Sequence, residues 1–488
     1  YTNPRESGHD FFTIGHTSTS VSLACGLAKA RDLKGGHENI IAVIGDGSLS
    51  GGEAYEGLSN AGEMGTNLII VVNDNEMSIA ENHGGLYQNL KELRDTEGRS
   101  SCNFFRSLGL DYLYVGEGND IPSLVAAFAK VKDTSRPTVV HIHTQKGKGY
   151  APAEADREEF HWEMPFDLET GKPKVDCSGM EDYHSLTGKF LLEKMKEDHT
   201  VVAISSGTPT VIGFTPERRK QAGRQFVDVG IAEEHAVALA SGIAAGGGRP
   251  VYGVYSTFIQ RCYDQLSQDL CINGNPAVIT VFMGTVAGMN DVTHLGFFDI
   301  PLISNIPNMV YLAPTCSEEY FAMLEWAVRQ TEYPVAIRVP GVAVVHRKEE
   351  FDTDYSELNR YKMTARGETV AILALGSFYD LGQALKNKLR EESGVEATLI
   401  NPRYITGLDE PMLEELKVGH RIVVTLEDGV LDGGFGEKIA RYYGNSEMRV
   451  LNYGLRKEFA DRYNLDELMK TNRLTDKQMA EDIAGILE

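Results

Sequence analysis

Short apolar segments rich in β-branched residues alternate with helical patterns along most of this 488-residue chain, and no other feature constrains the fold as strongly. Residues 39–44 form one such apolar run and residues 68–72 the next, with a helical pattern over 53–64 between them. Continuous apolar runs of this length are typical of strands buried on both faces of a parallel sheet. A strand–helix–strand order also provides the crossover that parallel strands need. The sequence therefore predicts an α/β fold built on doubly wound parallel sheets.

Two polar, charged segments without periodicity interrupt this alternation, at 150–174 and at 347–360. Such segments are typical of connections between domains. At about 100–200 residues per domain, the chain length also agrees with about three domains. We therefore expect doubly wound domains over 1–163, 183–346 and 363–488, joined by linkers over 164–182 and 347–362.

The charge balance excludes several classes of partner. Lys and Arg number 47 against 70 Asp and Glu, which gives a formal net charge of −23. Nucleic-acid binding generally needs a basic surface and anionic membranes attract basic patches, so neither partner is expected. Since no run of about 20 apolar residues is present, no transmembrane helix is expected either. Any anionic substrate must be held by a local site that works against the negative field of the whole protein.

The six cysteines are scattered and form no CxxC pair. They are Cys25, Cys102, Cys177, Cys262, Cys271 and Cys316. This spacing fits neither a disulfide framework nor a zinc site. Because no signal peptide opens the given sequence, we expect a reducing, cytoplasmic location.

Polar residues directly follow the first two predicted strands. A Gly-Asp-Gly motif centred on Asp46 follows the first strand, and an Asn-Asp-Asn motif ending at Asn75 follows the second. If the strands are adjacent and parallel, these side chains converge at one edge of the sheet. Mg²⁺ prefers about six oxygen ligands, and Asp46, Asn75 and the Met77 carbonyl can supply three of them. The N–H groups of Gly47 and Ser48, which open the next helix, can face a phosphate.

Either motif alone is more often an ordinary turn with an aspartate cap. The pair at this spacing, each member after a buried strand, is instead a signature of thiamine diphosphate binding. No GxGxxG motif is present, which distinguishes the pattern from a dinucleotide fingerprint.

Two later segments carry residue types that thiamine diphosphate chemistry needs. The segment 227–235 passes from a strand into a helix and carries Glu233, a candidate for the carboxyl group that activates the aminopyrimidine ring. In the segment 255–261, Phe258 can stack on that ring and Arg261 can hold an anionic group. Taken alone, each segment is more often structural, as an acidic helix start or as core packing beside a solvated arginine.

Four histidines lie among small and polar residues, at His16, His83, His161 and His294. Histidine suits proton transfer near neutral pH. A lone histidine is more often a structural hydrogen-bonding group. None of the four has the HExxH spacing of a zinc enzyme, so they are not interpreted as metal ligands.

This ordered series of segments resembles the 1-deoxy-D-xylulose-5-phosphate synthase family of transketolase-like thiamine diphosphate enzymes. The matching segments are GHTSTS, GDGSLSGGEAYEGLSNAG, NDNEMSIAEN, KGKGYAPAE, DVGIAEEHAV, YSTFIQRCYDQ, THLGFFD and VTLEDGVLDGGFGE. They span nearly the whole chain. NDNEMSIAEN and YSTFIQRCYDQ fit this family better than ordinary transketolases.

The resemblance implies a diphosphate-binding, a pyrimidine-binding and a C-terminal transketolase-type domain in a homodimer, with thiamine diphosphate and Mg²⁺ as cofactors. The implied Mg²⁺ ligands are Asp46, Asn75 and the Met77 carbonyl. The residues implied to contact thiamine diphosphate are Gly15, His16, Thr17, Gly47, Ser48, Asn75, Tyr150, Glu233 and Phe258. The implied catalytic residues are Glu233, His16, His161 and His294. The residues implied to face the substrate are Tyr255, Arg261, Asn290 and His294.

The implied reaction decarboxylates pyruvate and adds the remaining two-carbon unit to glyceraldehyde 3-phosphate. The protein contributes positioning and electrostatics, and the cofactor contributes the bond-making chemistry. Two other interpretations stay open: transketolase-type ketol transfer from a sugar donor, and a binding or regulatory subunit without catalysis. The presence of Asp46, Asn75, Glu233 and Phe258 together speaks against the second.

The chain departs from the family pattern in three places. An upstream stretch of the family, which carries a further active-site histidine, has no counterpart in the given sequence, so we expect a trimmed chain or a separate subunit. Between Asn82 and Phe104 the chain is shorter than the family, which has a mobile loop there.

The third departure lies at the acceptor site. Met283 and Gly341 occupy the positions of the two arginines expected to clamp the acceptor phosphate. Each charge-assisted contact of this kind contributes about 1.5–3 kcal/mol. We therefore hypothesise a different acceptor, such as an unphosphorylated aldehyde. Against this hypothesis, another basic residue such as Arg347 could reach the site and hold a phosphate.

Overall fold

The computed structural model describes residues 2–175 and 179–487, so Cys177 lies outside the described residues. The other five cysteines are free thiols, of which only Cys102 is exposed. No helix within the described ranges combines the length and the apolar character that crossing a bilayer requires.

The described chain contains fifteen strands in three sheets. The strands are β1 (Ile41–Gly45), β2 (Ile69–Asp74), β3 (Asp111–Val115), β4 (Thr138–His143), β5 (Val201–Ser205), β6 (Phe226–Asp228), β7 (Arg249–Tyr255), β8 (Val278–Phe282), β9 (Val310–Leu312), β10 (Val335–Arg338), β11 (Lys362–Ala365), β12 (Thr369–Ala374), β13 (Thr398–Asn401), β14 (His420–Val430) and β15 (Arg449–Leu455).

Sixteen α-helices are described alongside these strands. They are α1 (Ser20–Leu33), α2 (Gly52–Glu63), α3 (Leu86–Asp95), α4 (Phe104–Ser107), α5 (Ile121–Val131), α6 (Ala151–Ala155), α7 (Tyr183–Glu197), α8 (Pro216–Ala222), α9 (Glu233–Ala245), α10 (Asp299–Ser304), α11 (Ser317–Arg329), α12 (Tyr379–Ser393), α13 (Glu410–Gly419), α14 (Phe435–Tyr443), α15 (Leu465–Thr471) and α16 (Asp476–Leu487).

The first sheet has the order β1-β2-β4-β3, and all its neighbouring strands are parallel. Successive side chains of β2 enter two different cores. Ile70 and Val72 pack with residues of α1, α2 and α3, while Ile69 and Val71 pack with residues of α5. Helices therefore cover both faces of β2, which confirms the predicted double winding.

The second sheet has six strands in the order β6-β5-β7-β8-β10-β9. The registered pairs from β5 to β9 are all parallel. Helices α7 and α11 contribute buried residues to its core. The chain enters α7 at Asp182, whose carboxylate accepts the Ser185 N–H at 2.7 Å and so satisfies one free donor of the first turn.

The third sheet has the order β11-β13-β12-β14-β15, and one of its strands differs from the prediction of purely parallel sheets. Strand β11 pairs antiparallel with β13, whereas the other pairs are parallel. Only residues 366–368 separate β11 from β12, which is too short for the crossover that two parallel strands of one sheet need. The first strand therefore runs antiparallel at the edge of the sheet.

The chain divides into two compact units. The first consists of Tyr1–Met180 with two short later segments, Ser205–Pro209 and Asp228–Glu233. The second consists of Glu181–Ile204, Thr210–Val227 and Glu234–Glu488. The first sheet lies in the first unit and the third sheet in the second, so the candidate site residues are described below unit by unit.

Candidate active site

In the first unit, Asp46 lies directly after β1 and Asn75 directly after β2. Because Gly45 pairs with Asn73 in register, the two loops leave the same edge of the sheet, as predicted. The carboxylate of Asp46 is buried and its Oδ2 accepts the side-chain N–H of Asn82 at 2.7 Å. Gly47 is required here, because a Cβ atom at this position would lie 2.7 Å from Cβ of Ser78.

The second loop is a tight turn held by its own side chains. Asp74 Oδ1 accepts the N–H of Glu76 at 3.1 Å, and Asn75 Oδ1 accepts the N–H of Met77 at 3.2 Å. Glu76 has a φ of 69°, a left-handed conformation that non-glycine residues rarely adopt. The turn gathers the carboxamide of Asn75 and the backbone of Met77 beside each other, as a metal site built from both would need.

Asp74 anchors this loop through a buried network that the sequence did not predict. Its Oδ2 binds Nη1 of Arg94 at 2.5 Å and Nε2 of His141 at 2.9 Å, and Nδ1 of His141 lies 2.7 Å from the hydroxyl of Tyr112. Although burial raises the pKa of Asp74, the hydrogen bonds and charges of His141 and Arg94 hold it below its usual range. Asp74 therefore stays ionised, and Arg94 and His141 compensate its negative charge.

Asp46 has the opposite electrostatic character. Burial, together with the negative charge of Asp74, raises the pKa of Asp46 to about 7. Within the described part of the chain, the buried oxygens Asn82 Oδ1 and Ser78 Oγ have no hydrogen-bond partner. A buried carboxylate beside unsatisfied oxygens fits a divalent cation, which would supply the missing positive charge.

The donor set also argues for a hard, oxygen-seeking cation. Among the described residues, no cluster of three or more His, Cys, Asp or Glu side chains could hold a metal ion. One carboxylate, one carboxamide and one backbone carbonyl remain, and these oxygens suit Mg²⁺ better than zinc or copper.

Two other predicted segments of the first unit pack against the turn after Asp46. The hydroxyl of Ser18, next to Gly15, His16 and Thr17 in sequence, donates to the carbonyl of Ser48 at 2.8 Å. The N–H of Ile231 donates to the hydroxyl of Ser50 at 2.8 Å. The structure therefore brings the 15–17 segment and the segment leading to Glu233 to the loop that carries Asp46.

Glu233 is the first residue of α9 and is almost completely buried. The turn before it is held by Asp228, whose Oδ1 accepts the N–H groups of Gly207 and Gly230, both at 2.9 Å. Gly230 has a φ of 75°, so the turn needs a residue that tolerates the left-handed region. The sequence places this carboxyl group at a rigid strand-to-helix junction, where it is shielded from water.

The loop around Tyr150 reaches the same region of the first unit through Lys146. The Lys146 ammonium group donates to the carbonyl of Ser78 at 2.6 Å and thereby ties this loop to the chain after Met77. The hydroxyl of Tyr150 is buried without a hydrogen-bond partner among the described residues, while its ring packs against Phe160 and Phe166. Lys146 was not predicted as a site residue.

His161 ends a short 3₁₀ helix (Glu159–His161) of the same unit and is exposed. Its exposed position is compatible with access to a substrate. The segment 150–174, expected to be aperiodic, thus contains both α6 and this 3₁₀ turn.

In the second unit, Phe258 and His294 lie side by side. Their rings are 5.6 Å apart in an edge-to-face arrangement, and the ring of Tyr255 lies 5.9 Å from that of Phe258. Nδ1 of His294 lies 3.1 Å from Oδ1 of Asp291 and 2.8 Å from the hydroxyl of Thr293. With Asp291 as acceptor, the neutral ring carries its proton on Nδ1 and presents Nε2 as the acceptor.

Arg261 and Asn290 lie in the same unit. Arg261 is half-buried in a 3₁₀ helix (Phe258–Cys262), which continues into a π-helix (Gln265–Cys271) of the kind often found near functional sites. The side-chain nitrogen of Asn290 donates to the carbonyl of Tyr463 at 3.1 Å, so the amide is oriented by the chain after β15.

Positions 283 and 341, where the resemblance predicts arginines, both have a left-handed backbone. Met283 has a φ of 55° and packs against the core of the second sheet. Gly341 has a φ of 64°, where any side chain would be strained. Arg347 pairs with Asp380 and lies 4.8 Å from the ring centre of Tyr379, while its buried Nε has no hydrogen-bond partner among the described residues.

Family models match three parts of the chain. Residues 1–103 match the model described as 1-deoxy-D-xylulose-5-phosphate synthase. Residues 181–344 match the transketolase pyrimidine-binding domain, and residues 360–479 match the transketolase C-terminal domain.

Curated relatives are similar over nearly the whole chain. The 1-deoxy-D-xylulose-5-phosphate synthase of Clostridium beijerinckii is 36% identical, and the alignment covers 96% of this chain and 81% of that protein. The synthase of Clostridium tetani is 35% identical, with 99% and 83% covered. Synthase 1 of Geobacter sulfurreducens is 36% identical, with 93% and 77% covered.

Solved transketolase structures share the fold. A split-gene transketolase, described as an inactive β4 tetramer, has a TM-score of 0.53 at 22% identity and covers 63% of this chain and 98% of that chain. A transketolase from Pichia stipitis in complex with sedoheptulose 7-phosphate has a TM-score of 0.51 at 16% identity and covers 96% of this chain and 79% of that chain. At such identities the likeness concerns the fold alone. The family match at the start of the chain and the identity of the relatives over its length agree that this chain belongs to the 1-deoxy-D-xylulose-5-phosphate synthase family.

Proposed function

We propose that this protein is a thiamine diphosphate- and Mg²⁺-dependent transferase that decarboxylates pyruvate and adds the remaining two-carbon unit to glyceraldehyde 3-phosphate. The family of the chain supports this reaction. The single observation that carries it furthest is the buried Asp46 carboxylate, which lies among partnerless oxygens at the carboxyl edge of the first sheet. Such an arrangement is unfavourable without a cation and is therefore expected of a metal site.

The cofactor would be held mainly by the first unit. Asp46, Asn75 and the Met77 carbonyl would bind Mg²⁺, and the N–H groups of Gly47 and Ser48 would face the diphosphate. Further contacts would come from Gly15, His16, Thr17 and Tyr150. The left-handed turn at Glu76 and the network of Asp74 would fix the second metal-binding loop before the cofactor arrives.

Bound thiamine diphosphate supplies the carbon nucleophile and the electron sink that decarboxylation requires. Glu233 would hold a proton at a ring nitrogen of the aminopyrimidine, and Phe258 would stack on that ring. His294 would exchange a proton with the substrate through Nε2, because Asp291 fixes its other proton on Nδ1. His16 and His161 would line the reacting centre, and Tyr255, Arg261 and Asn290 would face the substrate.

We further propose a cytoplasmic homodimer with three functional domains. The diphosphate-binding domain would cover 1–163, the pyrimidine-binding domain 183–346 and the C-terminal transketolase-type domain 363–488. The family models for the last two domains support this division.

The experiment that tests the reaction compares the wild type with variants of two neighbouring glutamates, Glu233 and Glu234. The wild type, supplied with Mg²⁺, thiamine diphosphate, pyruvate and glyceraldehyde 3-phosphate, should form 1-deoxy-D-xylulose 5-phosphate. Glu233→Gln should lower kcat by about 100-fold or more, since general acid–base groups contribute about 10²–10⁴-fold. The matched control Glu234→Gln removes a carboxylate one position along the same helix and should retain activity. Equal activity of both variants would remove Glu233 from the mechanism.

A second candidate acceptor is an unphosphorylated aldehyde. The observation that favours it is the presence of Met283 and Gly341 where the family pattern has arginines. Replacing glyceraldehyde 3-phosphate by glyceraldehyde in the same assay separates the two candidates. The phosphorylated acceptor should saturate the enzyme at a much lower concentration, and equal KM values would favour the second candidate.

A further inference from the structure

A phosphorylated acceptor needs a cation that the expected positions do not supply. Met283 and Gly341 carry no charge, Arg338 is buried against Asp299, and Arg347 pairs with Asp380. On a protein with a net charge of −23, a dianionic phosphate also requires local compensation. A cation for this role must come from another residue near the loop 283–294, which carries His294.

The segment 461–463, after β15, lies directly on this loop. The N–H of Arg462 donates to the carbonyl of Asn290 at 2.6 Å. The side-chain nitrogen of Asn290 in turn donates to the carbonyl of Tyr463. The hydroxyl of Tyr463 donates to the carbonyl of Val286 at 2.8 Å. The carboxylate of Asp461 accepts the N–H of Val292 at 3.2 Å. These hydrogen bonds fix the segment against the loop.

Arg462 itself has the properties of a ligand-binding residue. Its φ of 48° lies in the left-handed region, which costs a non-glycine residue conformational energy and is enriched at functional sites. Its side chain is exposed and forms no ion pair with any residue that the structure describes. The carboxylate of Asp461, next to Arg462 in sequence, accepts the N–H of Val292. The carboxylate of Asp291, next to Asn290 in the contacted loop, contacts His294.

We propose that Arg462 binds the phosphate group of the acceptor aldehyde and replaces the two arginines absent at positions 283 and 341. This inference rests on the proposed function, because it assumes that the acceptor reaches His294. The guanidinium group offers five N–H donors in a planar fork that matches phosphate oxygens. The backbone bond to Asn290 places the start of this long side chain four residues from His294 in the same loop.

The kinetic test compares Arg462→Gln, Arg462→Lys and the control Arg421→Gln. Arg421 is also an exposed arginine of the second unit, but it lies at the start of β14, whereas the loop 283–294 contacts the far end of that strand through Asp428. Arg462→Gln should raise KM for glyceraldehyde 3-phosphate by about 10- to 100-fold, the range expected for one charge-assisted contact. The KM values for pyruvate and for unphosphorylated glyceraldehyde should not change. Arg462→Lys should recover part of the loss, and Arg421→Gln should match the wild type.

A binding measurement keeps this inference separate from the proposed reaction. Glycerol 3-phosphate, which has no aldehyde to react, should bind the wild type and Arg421→Gln in calorimetry, and Arg462→Gln should lose at least about 10-fold in affinity. The melting temperatures of the three proteins should agree, which shows that the variant is folded. If Arg462→Gln binds glycerol 3-phosphate and uses the phosphorylated acceptor as the wild type does, the inference is wrong. If the wild type fails to release carbon dioxide from pyruvate, the proposed function fails, while the calorimetry still decides the role of Arg462.

Discussion

Nε of Arg338 donates to Oδ2 of Asp299 at 2.8 Å, and the two side chains are only 4% and 0% exposed. The guanidinium also donates to the carbonyl of Asp428 at 2.6 Å, and the hydroxyl of Tyr311 donates to Asp299. Arg338, three residues before Gly341, is therefore a structural group that links β10, α10 and β14. It is not available to the substrate, so a phosphorylated acceptor would have to be held by another residue.

Breaking the Arg338–Asp299 pair should destabilise the protein strongly. Arg338→Met leaves the Asp299 carboxylate buried without its cation, and the expected cost is about 3–5 kcal/mol. Arg329→Met is the matched control, because Arg329 is exposed and pairs with Glu325 on the surface, where such pairs contribute about 0–1 kcal/mol. Denaturant unfolding compares the two variants. Similar losses in both would show that the buried pair has no special structural role.

Removing the amide beside Asp46 should weaken cofactor binding without unfolding the protein. Asn82→Ala deletes the group that donates to Asp46 Oδ2 at 2.7 Å and orients this carboxylate. Groups that orient a metal ligand typically contribute about 10–100-fold to metal affinity, so a loss of this size is expected in calorimetry with Mg²⁺ and thiamine diphosphate. Asn89→Ala, in α3 of the same unit, should bind as the wild type does. An unchanged affinity in Asn82→Ala would place the metal away from Asp46.

Breaking the anchor of the loop 74–77, the second of the two loops proposed to bind Mg²⁺, should have a similar effect. Asp74→Asn removes the charge that pairs with Arg94 and His141, and it weakens the hold on the turn at Glu76. We expect weaker Mg²⁺ binding, again by about 10-fold or more, together with a lower melting temperature. Asp95→Asn, which breaks only an exposed pair with Lys91, is the control. A lower melting temperature with full Mg²⁺ affinity would mean that Asp74 serves the fold alone.

The buried carboxyl group of Glu427, in the third sheet, should make the free energy of unfolding depend on pH. Burial raises the pKa of Glu427 to about 7, although the N–H groups of Phe435 and Gly436 partly oppose this shift. The unfolded chain titrates near a pKa of about 4.3, so the folded protein binds the extra proton between these values. This contribution is complete below about pH 4, and it is lost as the pH rises through 7, by about 4 kcal/mol in total.

Glu427→Gln should therefore remove part of the fall in stability between about pH 4 and 7. The readout is the slope of the unfolding free energy against pH and not its absolute value, because glutamine also changes the hydrogen bonds at the start of α14. Unfolding free energies measured at several pH values compare it with Glu447→Gln, which alters an exposed carboxylate of the same unit. Equal slopes in the wild type and Glu427→Gln would contradict the raised pKa.

The parts of the fold that were predictable are those with local causes. The runs at 39–44 and 68–72 became β1 and β2, because continuous burial on both faces leaves an unmistakable apolar pattern. The position of Asp46 and Asn75 at one edge then follows from parallel pairing. The sequence did not predict strands β3, β9, β11 and β15, which all lie at sheet edges. Strand β9 has only three residues, and the other three carry polar and aromatic residues without the same pattern.

The residues that support the site could not be predicted, because their partners are distant in sequence. Asn82 lies 36 residues from Asp46, and His141 lies 67 residues from Asp74. The contact of Arg462 with Asn290 joins two different sheets of the second unit. No periodicity or motif signals such pairings, and only the folded chain brings them together.

The fate of the carboxyl carbon of pyruvate tests the central proposal most directly. Purified protein is given Mg²⁺, thiamine diphosphate, glyceraldehyde 3-phosphate and carboxyl-labelled pyruvate, and labelled carbon dioxide is measured beside the ligated sugar phosphate. We predict one carbon dioxide released for each ligated product, with both signals lost when Mg²⁺ is chelated or when Asp46→Asn replaces the wild type. Formation of a ligated product from a ketose phosphate donor, with no carbon dioxide from pyruvate, would contradict the account and identify a ketol transferase.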